Sequence, residues 1–494
     1  MQQVRRHFRV WWILSVALIL GFAPALHAQI SQEEYQERRA ALAAAVGDGV
    51  ILALGSSAPP QDYISFFQNS PFRYLTGFTE PDAALLVVVE GGSHTETLFV
   101  NPRDPAYETW EGYRMGPEGV TRELGITGRE VGDLRAALDS VLAGRETLNV
   151  VAPWRPDDPI LNHDTQRLQR LLEGREGVRV RPVTGEVNRL RQVKSEAELD
   201  LLRKTTAITV EAHQEVLGAV EPGMNEFEIQ ALVEYTFRRY GSERPAFASI
   251  VGSGPNSTIL HYNQNDRFME DGDILLVDIG AGYGGYAADV TRTIPVNGRF
   301  SPEQREIYQI VRDAQAAAEE LAGPGVHRDQ LSAAAARVLA DGLTRVGLIQ
   351  APDAVFDCEM GGQMGECPQL FLFYMHGLGH GIGLDVHDPW PPVLEPGTAF
   401  TIEPGIYVRP NLFTEVMPDT PRNRGVIEAI RPAWERYRNI GVRIEDDYIV
   451  TEDGLEWISP APREIEEIEE AMARSWTGPA PRNAEWVEWY RRMR

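Results

Sequence analysis

The 494-residue chain holds only two cysteines, Cys358 and Cys367. Their spacing matches no zinc-binding pattern, and two thiols alone make a poor metal site, so a thiolate zinc module is excluded. Whether they close a local disulfide, as an oxidising compartment would allow, is open from the sequence. Positive charge is also scarce. Against 72 Asp and Glu stand 47 Lys and Arg, a formal charge of -25, which excludes a nucleic-acid binder working through basic charge. The acidic excess reads as a solvated surface. The apolar stretch over residues 10–22 is short for a membrane span, and it follows Arg5, Arg6 and Arg9 and precedes small residues. That order is expected of a signal peptide, cut after Ala28 or, alternatively, after Ala25. Arg5-Arg6-His7-Phe8 also resembles a twin-arginine export signal. Removing residues 1–28 takes away three arginines and no acid, leaving 44 basic groups against 72 acidic ones, a formal -28. The expected address is the periplasm or the exterior, with no stable membrane insertion after cleavage.

Hydrophobic content of 43% and charged content of 24% are ordinary, and the length calls for two domains. From residue 31 to about 182 helical and strand patterns alternate: 33–45 has helical period, and 49–54, 83–90 and 97–100 read as strands. This part has few titratable clusters of catalytic appearance and reads as a small α/β domain. A boundary falls near 183–190. Capping boxes then begin helices at Ser195 and Asn225, strands follow through Ile294, Ser301 caps another helix, Gly323-Pro324-Gly325 breaks it, and a second helix runs to about Gly347 before further strands. Helix, break, helix, strands thus occurs twice. It implies two similar halves around a curved sheet, although their sequences are not alike. Residues 464–470 form an acidic helical run, and 476–494 a tail with Trp486 and Trp489, for which surface packing or subunit contact is the default.

The chemistry gathers in four stretches of this second part. Asp278 ends an apolar run, glycines at 280, 282, 284 and 285 mark a turn, and an alternating run from Tyr286 to Ile294 follows. This is a β-hairpin that returns Asp289 towards Asp278. Two carboxylates held close repel each other unless a cation or shared proton compensates; alternatively one caps a strand and the other faces water. His376-Gly-Leu-Gly-His380-Gly-Ile-Gly carries too much glycine for a helix, so its histidines are not a helical zinc pair. Glycine at this density instead lets backbone approach a site closely. Glu403 ends a strand, and the two-residue period puts Arg443 and Glu445 on one face of another. Asp278, Asp289, His380, Glu403 and Glu445 together offer four carboxylates and an imidazole, enough to balance two divalent cations.

The ordered segments LLVDIGAGYGGYAADVTRT, HGLGHGIGLDVHD, IEPGIYV and GVRIEDDYIV resemble the pita-bread metallopeptidases, specifically the Xaa-Pro aminopeptidase (aminopeptidase P) family. The likeness extends upstream through IVGSGPNSTILHY and into FQNSPFRYLTGFTEPDAALLV and ETWEGYRMG, covering nearly all of the chain after residue 28. It implies an α/β (α+β) protein: signal peptide 1–28, N-terminal domain 29–185, pita-bread catalytic domain 186–475 with two pseudo-symmetric halves around a curved antiparallel sheet, and tail 476–494. It implies two divalent ions, manganese first with cobalt, zinc or iron as alternatives, on Asp278, Asp289, His380, Glu403 and Glu445. Glu403 relays protons, His376 and His387 handle protons and bind the carbonyl, His261 lines the substrate pocket, and Arg443 supports a ligating carboxylate beside the substrate. Trp110 matches a tryptophan that helps close the site from a neighbouring subunit, although by itself a tryptophan there reads as core. The implied substrates are peptides with proline second, and a dimer or tetramer is expected. An Xaa-Pro dipeptidase shares the same ligands. Methionine aminopeptidase lacks this N-terminal domain, and a creatinase-like or metal-free binding module would have lost ligands. Three segments depart from the family pattern: 353–370 with both cysteines, the short proline-rich loop after His387 (Pro389, Pro391, Pro392), and a long 409–439.

Overall fold

The computed structural model describes residues 30–61, 64–151, 163–175, 177–480 and 485–486. The expected signal peptide and Trp489 lie outside these residues. Among the described residues no helix is long and apolar enough to cross a membrane.

Ser31 caps the first helix among the described residues, Gln32–Val46, by accepting from Glu34 N at 3.1 Å. A six-stranded sheet follows, in the order Thr127–Glu130, Ser93–Val100, Ala84–Glu90, Gly49–Leu54, Thr147–Val151, Arg179–Pro182. The Gly49–Leu54, Ala84–Glu90 and Ser93–Val100 neighbours run antiparallel, and the remaining pairs are parallel. Gly49–Leu54 is apolar on both faces because both are covered. The two outermost strands, TGRE and RVRP, are polar edges. Period-2 hydrophobicity therefore does not reveal them.

Capping boxes close at Ser195 with Glu198, Asn225 with Glu228, and Ser301 with Gln304, and they start helices Glu196–Ala219, Glu226–Arg239 and Pro302–Leu321. Arg328–Arg345 packs on Pro302–Leu321 so closely that a Cβ at Gly342 would stand 2.4 Å from Ile310. Each helix pair precedes strands. Ile250–Ser253, Ile274–Ile279 and Val290–Pro295 pair antiparallel in the first half, and Ala399–Ile402, Asp446–Thr451 and Gly454–Trp457 in the second. A bridge from Thr291 to Glu445 joins the two sets. The expected hairpin is present but broken in two: Ala281–Tyr283 with Tyr286–Ala287 makes the tip, and Val290–Pro295 resumes beyond a kink that leaves Asp289 between strands.

Arg292 fastens the halves together. Buried with Asp446 at 2.7 Å, it also donates to the carbonyls of Glu445, Ala461 and Pro462 at 2.7, 3.0 and 3.0 Å. Residues 409–439 hold a helix that the sequence conceals, Pro421–Tyr437, since Pro421, Gly425 and Pro432 all read as breakers. Cys358 and Cys367 are joined in a disulfide across the hairpin Val355–Met360 and Gln363–Pro368. The tail packs back onto the catalytic helices: Trp476 Nε1 donates to Glu215 at 2.9 Å, and Trp486 meets Tyr240 edge-on at 4.6 Å.

His213, on the helix Glu196–Ala219, is buried with Nε2 3.0 Å from the Val290 carbonyl. Burial, with Arg292 nearby, lowers its pKa to about 3. The folded protein keeps this imidazole neutral, whereas the unfolded chain protonates near 6.5. Its contribution is complete above about pH 6.5 and falls as pH drops towards 3, by up to about 1.4 kcal/mol per pH unit. His213→Gln, whose amide can still donate to Val290, is expected to remove about one proton from the pH dependence of unfolding between pH 6 and 4; urea melts of both proteins across that range measure it.

Candidate metal centre

The kinked hairpin delivers the first two ligands. Asp278 sits on Ile274–Ile279 opposite Thr291, and Asp289 lies at the kink, so both carboxylates enter one buried cavity. The glycine-rich segment supplies His380. A Cβ at Gly379 would fall 2.0 Å from the Thr401 carbonyl, so only glycine lets this chain lie against the strand leading to Glu403. His380 Nδ1 lies 3.1 Å from the Gly381 carbonyl, which turns Nε2 towards the acids: 3.4 Å from Asp289, 3.6 Å from Glu403 and 3.9 Å from Glu445. Glu445 comes from the second half across the Thr291 bridge and accepts from Thr291 Oγ1 at 2.7 Å.

All five expected ligands therefore meet, in overlapping groups whose ligand atoms lie within 4.8 Å of one another. His387 joins one of these groups with Asp289 and His380, its ring 4.1 Å from that of His380. Buried carboxylates this close oppose one another's charge. Burial first, then the neighbouring acids, pushes Asp289 and Glu445 well above the usual carboxylate range. Glu403 is pushed up to about 8 by burial, partly countered by Arg443. Burial also lowers His380 and His376 to about 4, keeping both neutral and able to ligate or accept. Asp278 Oδ1 and Asp289 Oδ1 are buried with no hydrogen-bond partner. An oxygen-rich set with one imidazole, excess negative charge and two orphaned oxygens fits divalent cations.

Around the ligands runs a second layer of contacts. Arg443 donates to Asp278, to Tyr407 Oη at 3.0 Å and to Thr291 Oγ1 at 3.2 Å. His376 shares Tyr407 through Nε2 at 2.8 Å and lies 3.8 Å from Glu403. Such partners fix the orientation of ligating groups. Tyr407 and Thr291 were not singled out in the sequence; each lies inside a conspicuous motif, IEPGIYV and ADVTRT, but carries no ligand-type side chain to mark it. His261 and His387 are exposed and line the same cavity of about 310 Å³ as the ligands, together with His376 and Arg443. Trp110 is elsewhere. It stands 85% exposed on the short helix Pro105–Glu111 of the N-terminal part, so it is not core, and within one chain it does not line the metal cavity.

Residues 200–452 match metallopeptidase family M24, and residues 35–151 match the aminopeptidase P N-terminal domain. Xaa-Pro aminopeptidase of Escherichia coli is 34% identical over 89% of this chain and 98% of its own length. Human Xaa-Pro dipeptidase is 32% identical over 87% and 90%. Among solved structures, E. coli aminopeptidase P with the inhibitor Pro-Leu superposes with a TM-score of 0.76 at 31% identity, covering 90% of this chain and 99% of that one. Proline aminopeptidase P II of Yersinia pestis gives 0.76 at 30%, covering 90% and 100%. The chain belongs to metallopeptidase family M24, the pita-bread metal-dependent hydrolases. Within that family it is of the Xaa-Pro aminopeptidase, or aminopeptidase P, type, with that type's own N-terminal domain.

Removing the cations should leave the carboxylates in mutual repulsion. In chelator-treated protein, Asp289→Asn is expected to raise the melting temperature while abolishing the further rise that added manganese produces in the wild type; thermal melts with and without metal, alongside metal content, measure both.

Proposed function

We propose that this chain is an exported, dinuclear-metal aminopeptidase that hydrolyses the N-terminal Xaa-Pro bond of peptides and releases the first residue. The meeting of five ligand residues in one cavity, with two buried carboxylate oxygens unpaired, supports this reading most directly. Asp278, Asp289, His380, Glu403 and Glu445 would hold two ions, manganese first among candidates, with cobalt, zinc and iron as alternatives. Such ions, when bound, polarise a carbonyl and lower the pKa of water to about 7.

Glu403 takes the proton of the attacking water and returns it towards the leaving prolyl nitrogen. His387, at the mouth of the cavity, donates to the carbonyl oxygen as negative charge develops there, a contact worth roughly 3–4 kcal/mol when the donor is well placed. His376, held by Tyr407, lines the proline side with His261. Arg443 donates to the Asp278 carboxylate and holds it in place, close to where the free amino group of the substrate lies. An Xaa-Pro bond has no amide hydrogen and restricts the residue before it, so a pocket shaped by imidazoles suits it better than a strand-like peptide groove.

The division into a signal peptide over 1–28, domains over 29–185 and 186–475, and a tail over 476–494 is part of this proposal. The family matches at 35–151 and 200–452 fall inside the two domains. Trp110 and Tyr113, exposed at 85% and 64%, rim an open cavity of about 700 Å³ on the N-terminal part. An aromatic rim of this kind favours subunit contact, and we assign Trp110 to closing the site of a neighbouring subunit in a dimer or tetramer.

An Xaa-Pro dipeptidase is the second reading, favoured by the similarity of the human enzyme. Chelator-stripped protein resupplied separately with manganese, cobalt and zinc is expected to release arginine from Arg-Pro-Pro and to act little on Ala-Pro. Preference for Ala-Pro would move the assignment to a dipeptidase, and no turnover with any metal would overturn catalysis. Glu403→Gln should keep the circular dichroism spectrum and lose turnover by at least roughly 100-fold, the lower range for a positioned acid–base group; retained activity would remove Glu403 from the proton relay.

A further inference from the structure

The loop that carries His387 is held by charge that comes from outside its own half of the catalytic sheet. Asp388, the next residue, is buried, and both its oxygens are paired with cations. Arg191 contacts Oδ1, and Lys194 Nζ lies 3.1 Å from Oδ2. The sequence has only two lysines, and this one is spent here with its side chain 1% exposed. Arg191 also reaches Asp385 at 2.7 Å, so two cations face two acids. Both cations precede the helix Glu196–Ala219, in the stretch that joins the N-terminal sheet to the catalytic helices. From the N-terminal part, Ser70 Oγ donates to Asp385 Oδ1 at 2.6 Å and to the Leu384 carbonyl at 3.3 Å.

These contacts close the loop rather than merely decorate it. Asp388 N donates to the Gly381 carbonyl at 2.7 Å, and Asp385 N donates to Asp388 Oδ1 at 3.1 Å. The turn folds so tightly over the carboxylate that a Cβ at Gly383 would lie 2.5 Å from it. His380 precedes this closed ring and His387 ends it, with their rings 4.1 Å apart. The place of the Asp388 carboxylate therefore sets the spacing of the two imidazoles.

We propose that Arg191 and Lys194 are positioning residues for His387, acting through Asp388, so that the junction with the N-terminal domain sets the geometry of carbonyl binding. The catalytic half of this proposal rests on the role given to His387 above; the structural half does not. An uncompensated Asp388 would pull water into the turn or swing out of it, and His387 would leave its place beside His380.

Arg191→Gln and Lys194→Met are to be compared with the wild type in two ways. The first is hydrogen exchange, read at the Asp385 and Asp388 amides, which needs neither metal nor turnover. Exchange there should quicken, while strands Ile274–Ile279 and Ala399–Ile402 keep their protection. The second is turnover of Arg-Pro-Pro in the wild-type and His387→Ala backgrounds. In the first background kcat should fall roughly 10- to 100-fold with KM little changed, as for other supporting contacts of a metal site. In the second, the further loss should be under about threefold, because a residue that works through His387 has nothing left to position. Arg191→Lys, which keeps a cation, should recover part of the loss. Unchanged exchange would overturn the proposal, and so would an equal loss in both backgrounds. If Arg191→Gln does not fold, Lys194→Met carries the same two comparisons. If the wild type does not turn over Arg-Pro-Pro, the functional reading fails by itself, and the exchange measurement still decides whether the linker cations hold the loop.

Discussion

Mutual repulsion among buried carboxylates is the constraint around which this molecule is built. Asp278, Asp289 and Glu445 share a cavity with Glu403, and among the described residues that line it Arg443 is the one guanidinium or ammonium group. Such a group stays in place only if the backbone holding it is stiffer than the repulsion is strong. The frame meets that need with paired strands that carry or adjoin the acids and with Arg292, whose buried guanidinium ties the strand after Asp289 to Glu445, Asp446 and Pro462. Remove the frame and the acids would part; remove the acids and the frame would relax. The donors that aim the ligands, Thr291, Tyr407 and His376, then decide where each lone pair points.

The N-terminal sheet contributes no ligand, yet it is not a bystander. Ser195 Oγ reaches Glu34 at 2.7 Å and Arg38 reaches Glu198 at 3.1 Å, while Tyr286 at the tip of the ligand hairpin donates to the same Glu198 at 2.8 Å. Contacts of this kind place the hairpin against the helix Gln32–Val46, just as Ser70 places the loop before His387. The division of labour is one of chemistry on one body and geometry shared between two.

Much of this was legible because the decisive residues are chemically unusual for their settings. An aspartate ending an apolar run, four glycines around two histidines, and an alternating Arg-x-Glu pattern all conflict with a plain structural role, and the structure brings all three stretches to one cavity. Helix starts were equally plain, since capping boxes are local and the tertiary structure had no reason to override them. The rest was hidden for stated reasons. Edge strands of the N-terminal sheet are polar, the helix Pro421–Tyr437 is masked by its own prolines, and the hairpin around Asp278 is kinked where the period suggested a continuous strand. Tyr407 and Thr291 act by hydrogen bonds to groups distant in sequence, which no spacing rule reports. The disulfide was undecided because pairing depends on where the two hairpin strands lie. Trp110 departed furthest from the plain expectation: a residue type that usually fills cores stands on the surface.

The ligands also have an order in time. Asp278 and Asp289 leave the ribosome together, His380 and Glu403 follow about a hundred residues later, and Glu445 is the 445th of 494 residues. A chain made from its N-terminus therefore exposes pairs of acids and a lone histidine long before it can surround an ion. Because the last carboxylate immediately precedes a strand that must still pair with Ala399–Ile402, and itself bridges to Thr291, the five side chains meet only when both halves of the sheet have docked. The set of side chains that could hold an ion is thus an outcome of tertiary docking and not of any one local segment.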